Sequence, residues 1–350
     1  MSGRLNSWNT RFDDYLHRKA AERGHVIAMA RMGSALRERG KFAEAESWYR
    51  KAAAGGDRVS MTALANLLSE RGAHDEAERW YHEAALAGDP HGMLNLGRAF
   101  ERQGKHGDAE HWFTEAAKTG DLPSVAALGH LLATRGRPED AEPWLRQAAD
   151  AGTTAAMVDL GVVLRDRGQA AEAARWWRAA VAQGDFAGAC QLGRQAERLG
   201  RPTDAEAWFR QGALGGNVEA TVRLGLLLHR RGDVEEAETW YLDAAESGDP
   251  AAMTNLGVLA RNRGDEGEAA AWYRKAAEHG SVPALTNLGH LAEHREELTQ
   301  AEQWFRSAAE TGDIQGMLSL ARMLRGRGAL HEADVWLARA EQAQGDRQHL

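Results

Sequence analysis

Tryptophan returns every 32 residues, at Trp48, Trp80, Trp112, Trp144, Trp176, Trp208, Trp240, Trp272, Trp304 and Trp336, without an insertion or deletion. Ten of the twelve tryptophans are therefore one position repeated ten times. A period of this size defines a solenoid, because so short a unit cannot bury its apolar face alone and must stack on its neighbours. Length alone, 350 residues, would suggest two globular domains, and the period overrides that reading.

The unit from His25 to Gly56 shows what the element is. Met29, Met32, Gly33 and Leu36 fall at the three- and four-residue spacing of a helix face, and Gly40 stops that helix. Glycine holds the Gly40 place in nine units, seven times after arginine, which reads as a left-handed cap beside a cation that complements the helix C-terminus. A second helix runs from about Phe42 to Ala54, with Ala45, Trp48, Tyr49 and Ala52 on one side and Glu44 and Glu46 near its N-terminus. Each unit is a helical hairpin. At the joints, nine glycines from Gly56 to Gly312 each precede an Asp, Asn, Ser or Thr fit to cap the next helix, which leaves almost no loop. Pro143 sits a turn and a half into its helix and predicts a kink or a late start there.

This phase divides the chain into an N-terminal partial repeat at 1–24, ten tandem 32-residue repeats at 25–344, and a polar C-terminal tail at 345–350 that is expected to fray. In the partial repeat Leu16, His17, Ala20 and Ala21 align with Trp48, Tyr49, Ala52 and Ala53, so it supplies a single capping helix.

The hairpin resembles tetratricopeptide repeats, and more closely their Sel1-like relatives. Leu256-Gly257 followed by Ala269 and Tyr273 matches the tetratricopeptide spacing, and Trp272 to Gly280 leading to Asn287-Leu288-Gly289 looks like a Sel1-like joint. The units have 32 residues rather than about 34 and lack a terminal proline. The resemblance implies an all-α chain, a right-handed α-solenoid of twenty-one helices in stacked hairpins. For function it implies a protein-protein interaction scaffold, an adaptor whose superhelical groove holds a peptide or assembles a complex.

Carried over from that pattern, the groove-facing positions lie one, four and five residues after the Leu-Gly glycine. Those able to contact a partner are Arg37, Asn66, Arg98, Arg102, His130, Arg165, Arg194, Arg198, His229, Arg230, Arg261, His290 and His294. The full set of groove positions holds ten arginines and six acidic residues in a chain of net charge −8. A relatively basic inner face predicts an acidic or carboxylate-bearing peptide; the bland reading is a solvated face with intrahelical ion pairs, such as Glu101 beside Arg98 and Arg102. Asn95, Asn255 and Asn287 precede the Leu-Gly step where an amide can bond a ligand backbone, but the lysines of a carboxylate clamp are missing from the matching places. A self-assembling solenoid, a homo-oligomer joined through its ends, is the alternative class.

The acidic balance argues against a nucleic-acid or anionic-membrane partner. One cysteine, Cys190, excludes an intramolecular disulfide. The first thirty residues hold no signal-peptide core, and no run approaches the ~18 apolar residues of a membrane span. A cytoplasmic address follows, and the richness in Ala, Arg and Gly suggests a GC-rich bacterial genome. His290-Leu291-Ala292-Glu293-His294 reads H-x-x-E-H, a zinc-enzyme motif, yet it falls in phase with nine ordinary first helices and has no third ligand. No metal, cofactor or enzymatic activity is therefore expected. The ten tryptophans and the residues that follow them are expected to be packed in the core, and Cys190 to be a small buried residue.

Overall fold

A computed structural model describes residues 18–348, and every regular element in it is an α-helix. Residues 18–22 are helical, whereas Leu16 and His17 of the expected capping helix lie outside the described residues. The first five repeats contain α1 (Val26–Glu38), α2 (Phe42–Ala54), α3 (Arg58–Glu70), α4 (His74–Leu86), α5 (Pro90–Arg102), α6 (His106–Ala117), α7 (Leu122–Thr134), α8 (Pro138–Asp150), α9 (Thr154–Asp166) and α10 (Ala170–Ala182). The second five contain α11 (Ala187–Arg198), α12 (Pro202–Leu214), α13 (Val218–Arg231), α14 (Val234–Glu246), α15 (Pro250–Asn262), α16 (Glu266–Glu278), α17 (Val282–His294), α18 (Leu298–Glu310), α19 (Ile314–Gly326) and α20 (Leu330–Gln348). The chain forms two compact units, one ending at Ala180 and the other beginning at Val181, each a run of stacked hairpins.

Sequence explains which helix is inside. α15 buries Ala252, Met253, Thr254, Leu256, Gly257, Leu259 and Ala260, more than one face, whereas α16 buries only the stripe Ala269, Ala270, Tyr273 and Ala276. Within each unit odd-numbered helices pack on their even partners and on the even helix before, and α3, α5, α7 and α9, α11 and α13, and α17 and α19 also pack on one another. The Leu-Gly step lets the pair close: a Cβ on Gly257 would stand 2.5 Å from the ring of Tyr273.

The turns follow the caps. Seven of the nine residues after the joint glycines accept the backbone N–H three residues on in the following helix, among them Asp57 from Ser60 and Asp249 from Ala252. The N-caps also fix the stacking register: Thr62 donates to Asp89 (2.6 Å), Thr286 to Asp313 (2.9 Å), and Thr254 lies 2.8 Å from Ser281. In repeat 9 Glu296 stands where nine repeats have the cap glycine, and it adopts φ 59° all the same.

Pro143 neither delays nor shortens its helix: α8 begins at Pro138, in phase, and spans 13 residues with the proline on its exposed side. Only the N–H that would bond the Glu139 carbonyl is lost. The irregular place is the start of α11, where Phe186 is in the αR region and Asp185 caps the Ala187 N–H, one residue early. There the Phe186 ring is seated on Gly215, where a Cβ would come within 2.1 Å of it. At the other end α20 continues through Gly345 to Gln348, where the composition predicts a frayed tail.

The tryptophans divide differently from the expectation of a uniform core. The fully buried ring belongs to the following residue, as at Phe113, Phe209, Tyr241, Tyr273 and Phe305, while nine of the ten repeat tryptophans are half-buried and only Trp336 is buried. Trp240 and Trp272 turn their indole N–H groups to Glu236 and Glu268, at 3.4 and 3.3 Å, so each tryptophan seals the core edge with its polar side outward.

Candidate functional site

Consecutive odd-numbered helices within a unit stand side by side, and their outward positions form one continuous face. Asn95 donates to Asn66 of the preceding repeat (3.1 Å), His130 meets Asp159 of the following one (2.8 Å), and Arg322 grips Glu293 through two 2.7 Å bonds. These contacts place the residue one or four after the Leu-Gly glycine against the next repeat.

Many of the cations predicted to contact a ligand are already engaged. Arg37 pairs with Glu70 (3.9 Å), Arg165 with Asp166 (2.7 Å) and Arg194 with Glu219 (3.5 Å), and Arg198 also interacts within the protein. His130 bonds Asp159, which raises its imidazole pKa. Asn66 accepts from both Tyr81 and Asn95, so its carbonyl serves the fold. His229 is half-buried. Arg98, Arg102, Arg230 and Arg261 differ: all four are exposed, and they make no ion pair among the described residues.

The structure takes the H-x-x-E-H motif apart. Glu293 is held by Arg322, which keeps its carboxyl below the usual range; His290 lies 3.7 Å from it and edge-on to Phe305; His294 turns to Glu266 at 2.7 Å. Among the described residues no group of three or more His, Cys, Asp or Glu is arranged to hold a metal ion. Cys190 is buried, and desolvation above all pushes its thiol up to about 12, so at neutral pH it is a packed thiol and not a nucleophile.

A second charge system, unseen in the sequence, belongs to the stacking. The arginine that reads as a complement of its own helix end reaches back to a glutamate of the preceding repeat. Glu46 sits between Arg50 and Arg71, at 2.8 Å from each, and Glu142, Glu206 and Glu302 bridge the same two places in their repeats. Where the glutamate is replaced by Ala270, Arg295 turns to Glu266 instead (2.8 Å). Beside these bridges lies a recurrent notch, of about 670 Å³ between repeats 9 and 10 and about 550 Å³ between repeats 6 and 7, where Glu197, Glu206, Arg230 and Arg231 line it. The 25-residue separation explains why the pattern is hard to see: it joins positions in different repeats.

Models of the tetratricopeptide repeat match residues 27–56, 62–123, 123–147, 153–182, 190–250 and 243–283, and a Sel1 repeat model matches 283–313. The chain belongs to the tetratricopeptide/Sel1 repeat family. It is similar to the solved structure of c5321, a protective antigen of uropathogenic Escherichia coli with an SLR fold, at 27% identity and TM-score 0.54, covering 93% of this chain and 79% of that one. A Sel1 repeat protein from Oxalobacter formigenes matches at 25% identity and TM-score 0.52, over 62% of this chain and 99% of its own. Yeast Tom70 shares the fold at 14% identity and TM-score 0.50, over 93% of this chain and 96% of that one. No curated protein matches the chain. Proteins of these repeats generally act as protein-interaction scaffolds, and the fold is typically non-catalytic. No helix among the described residues is long and apolar enough to cross a membrane.

Proposed function

We propose that this chain is a cytoplasmic adaptor that holds an acidic, carboxylate-bearing peptide segment of a partner protein along the odd-numbered-helix face within a unit. The supporting observation is the set of four exposed arginines, Arg98 and Arg102 in the first unit and Arg230 and Arg261 in the second, which form no ion pair among the described residues while their neighbours are paired. An arginine fork is matched to a carboxylate, and a carboxylate arriving from a partner satisfies it without breaking a bridge of the fold. Affinity is then spread over several side chains and weakens with salt, because the contacts are exposed.

The test is an array of acidic peptides, each beside its glutamine counterpart, followed by fluorescence anisotropy on the hits with the full chain. Acidic peptides are expected to bind and their glutamine counterparts to bind at least ten-fold less. Arg→Glu at all four positions should abolish binding with the helical circular dichroism intact. Binding that ignores peptide charge, or survives the four reversals, refutes the proposal.

A further inference from the structure

The residue after each repeat tryptophan follows a rule linking the even helix to the outward face. Where it is tyrosine in repeats 1 and 2, a polar residue of the odd helix accepts its hydroxyl: Tyr49 donates to Ser34 (3.1 Å) and Tyr81 to Asn66 (2.7 Å). Where that residue is charged or a histidine, as at Arg98, Arg194 and His290, the ring is Phe113, Phe209 or Phe305 and carries no hydroxyl. Repeats 7 and 8 break the rule together. Tyr241 and Tyr273 face Leu226 and Val258, their side chains are fully buried, and their hydroxyls find no hydrogen-bond partner among the described residues. A buried polar group left unpaired costs stability, and phenylalanine, used elsewhere in the same place, would remove that cost.

The same two repeats are unusual on their surface. Of their six outward positions none is acidic, so Arg230 and Arg261 meet no carboxylate there. Each arginine lies near enough to its own repeat's phenol to act on it by charge, Arg230 on Tyr241 and Arg261 on Tyr273. In the repeat register Asn255 and Asn287 correspond to Asn95, and Leu226 and Val258 to its partner Asn66, so neither amide has that partner; both are half-buried without a hydrogen bond among the described residues.

We propose that repeats 7 and 8 form the specific subsite for a segment in polyproline II conformation with two carboxylates three residues apart, read by Arg230 and Arg261 over a floor of Tyr241 and Tyr273. This rests on the acidic-peptide reading above and says where on the face the segment is read. The spacing comes from geometry: adjacent helix axes lie roughly 8–10 Å apart, and a polyproline II segment rises about 3.1 Å per residue with three residues per turn, which puts residues i and i+3 on one face about 9 Å apart. Asn255 and Asn287 bond the segment's backbone, Leu226 and Val258 take an aliphatic side chain between the carboxylates, and polar atoms of the segment satisfy the two phenols once Leu226 and Val258 turn aside.

The probe is fluorescein-labelled Gly-Ser-Glu-Leu-Ala-Glu-Ser-Gly, with companions whose two glutamates are one, two, four or five residues apart, titrated against the full chain. The three-residue spacing should bind tightest. Tyr241→Phe with Tyr273→Phe should lower affinity at least ten-fold while leaving the melting temperature unchanged or higher, a split that a purely structural role for the hydroxyls does not produce. Unchanged affinity in that variant overturns the proposal. Arg230→Gln with Arg261→Gln should abolish binding and Arg98→Gln with Arg102→Gln should not. The reverse pattern overturns this placement and leaves the acidic-peptide reading standing, whereas a wild-type chain that binds none of the acidic peptides overturns both.

Discussion

Glu296 offers a direct test of what the repeat demands of its backbone. It occupies the cap position that is glycine in nine repeats and holds φ 59°, a conformation that costs an L-residue about 1–2 kcal/mol. Its N–H bonds the Glu293 carbonyl at 3.0 Å, as Gly264 bonds Arg261 at 2.9 Å and Gly328 bonds Arg325 at 3.0 Å, so the turn is the same turn. Glu296 is exposed and its side chain forms no ion pair among the described residues. Glu296→Gly therefore relieves the backbone term and loses nothing in contacts. Glycine in turn raises the entropy of the unfolded chain by about 0.5–1 kcal/mol, which leaves a net gain of about 0.5–1 kcal/mol. If the second unit melts cooperatively, that gain is a rise of roughly 1–4 °C. Urea and thermal unfolding should show it, and hydrogen exchange should place it at the α17–α18 turn. Gly264→Glu should cost about as much, and Glu296→Ala should be near neutral because alanine pays the same left-handed penalty. A loss of stability in Glu296→Gly, or no loss in Gly264→Glu, refutes the reasoning.

Other outcomes follow from burial and charge. Phe305→Ala, at a fully buried ring, should destabilise by about 3–5 kcal/mol; Trp304→Ala, at a half-buried one, should cost clearly less, and the opposite order in urea titrations would mean that the tryptophan carries the core. The carboxyls of Glu76, Glu172, Glu266 and Glu293 are held below their unfolded value of about 4.5 by Arg50, Arg146, Arg295 and Arg322. Their bridges stabilise the fold fully above that pH and lose their contribution as the pH falls through the lower folded values. The melting temperature should drop below about pH 4.5, less steeply in Glu293→Gln; an equal slope in wild type and variant would remove Glu293 from the account. Equimolar zinc should leave the melting temperature unchanged, and a rise that disappears in His294→Ala would show that the histidines gather around a metal after all.

Much of the fold was legible because each repeat states it again. Hairpins, cap glycines and N-caps depend on residues within a few positions of one another, and ten copies average out the exceptions. The exceptions themselves were harder. Pro143 looked disruptive and is absorbed because the exposed side of its helix loses only one hydrogen bond, while the late start of α11 at Ala187, with the Phe186 ring on Gly215, has no signal in the local spacing. Of the outward residues, type and position could be read, but which arginines already have partners could not. Arg194 and Arg230 look alike in sequence, and of the two only the first forms an ion pair among the described residues, with Glu219 at 3.5 Å.

By itself the sequence determined the period, the hairpin, the turns and the family, since these follow from local spacing and backbone preference. The tertiary structure decided what the recurring side chains do. It placed the tryptophans at the core edge and their neighbours inside, tied Arg71 back to Glu46, and left the hydroxyls of Tyr241 and Tyr273 without partners beside Leu226 and Val258. Those outcomes depend on which side chains from different repeats meet, and residues some 15 to 30 positions apart in the chain meet only once the helices have stacked.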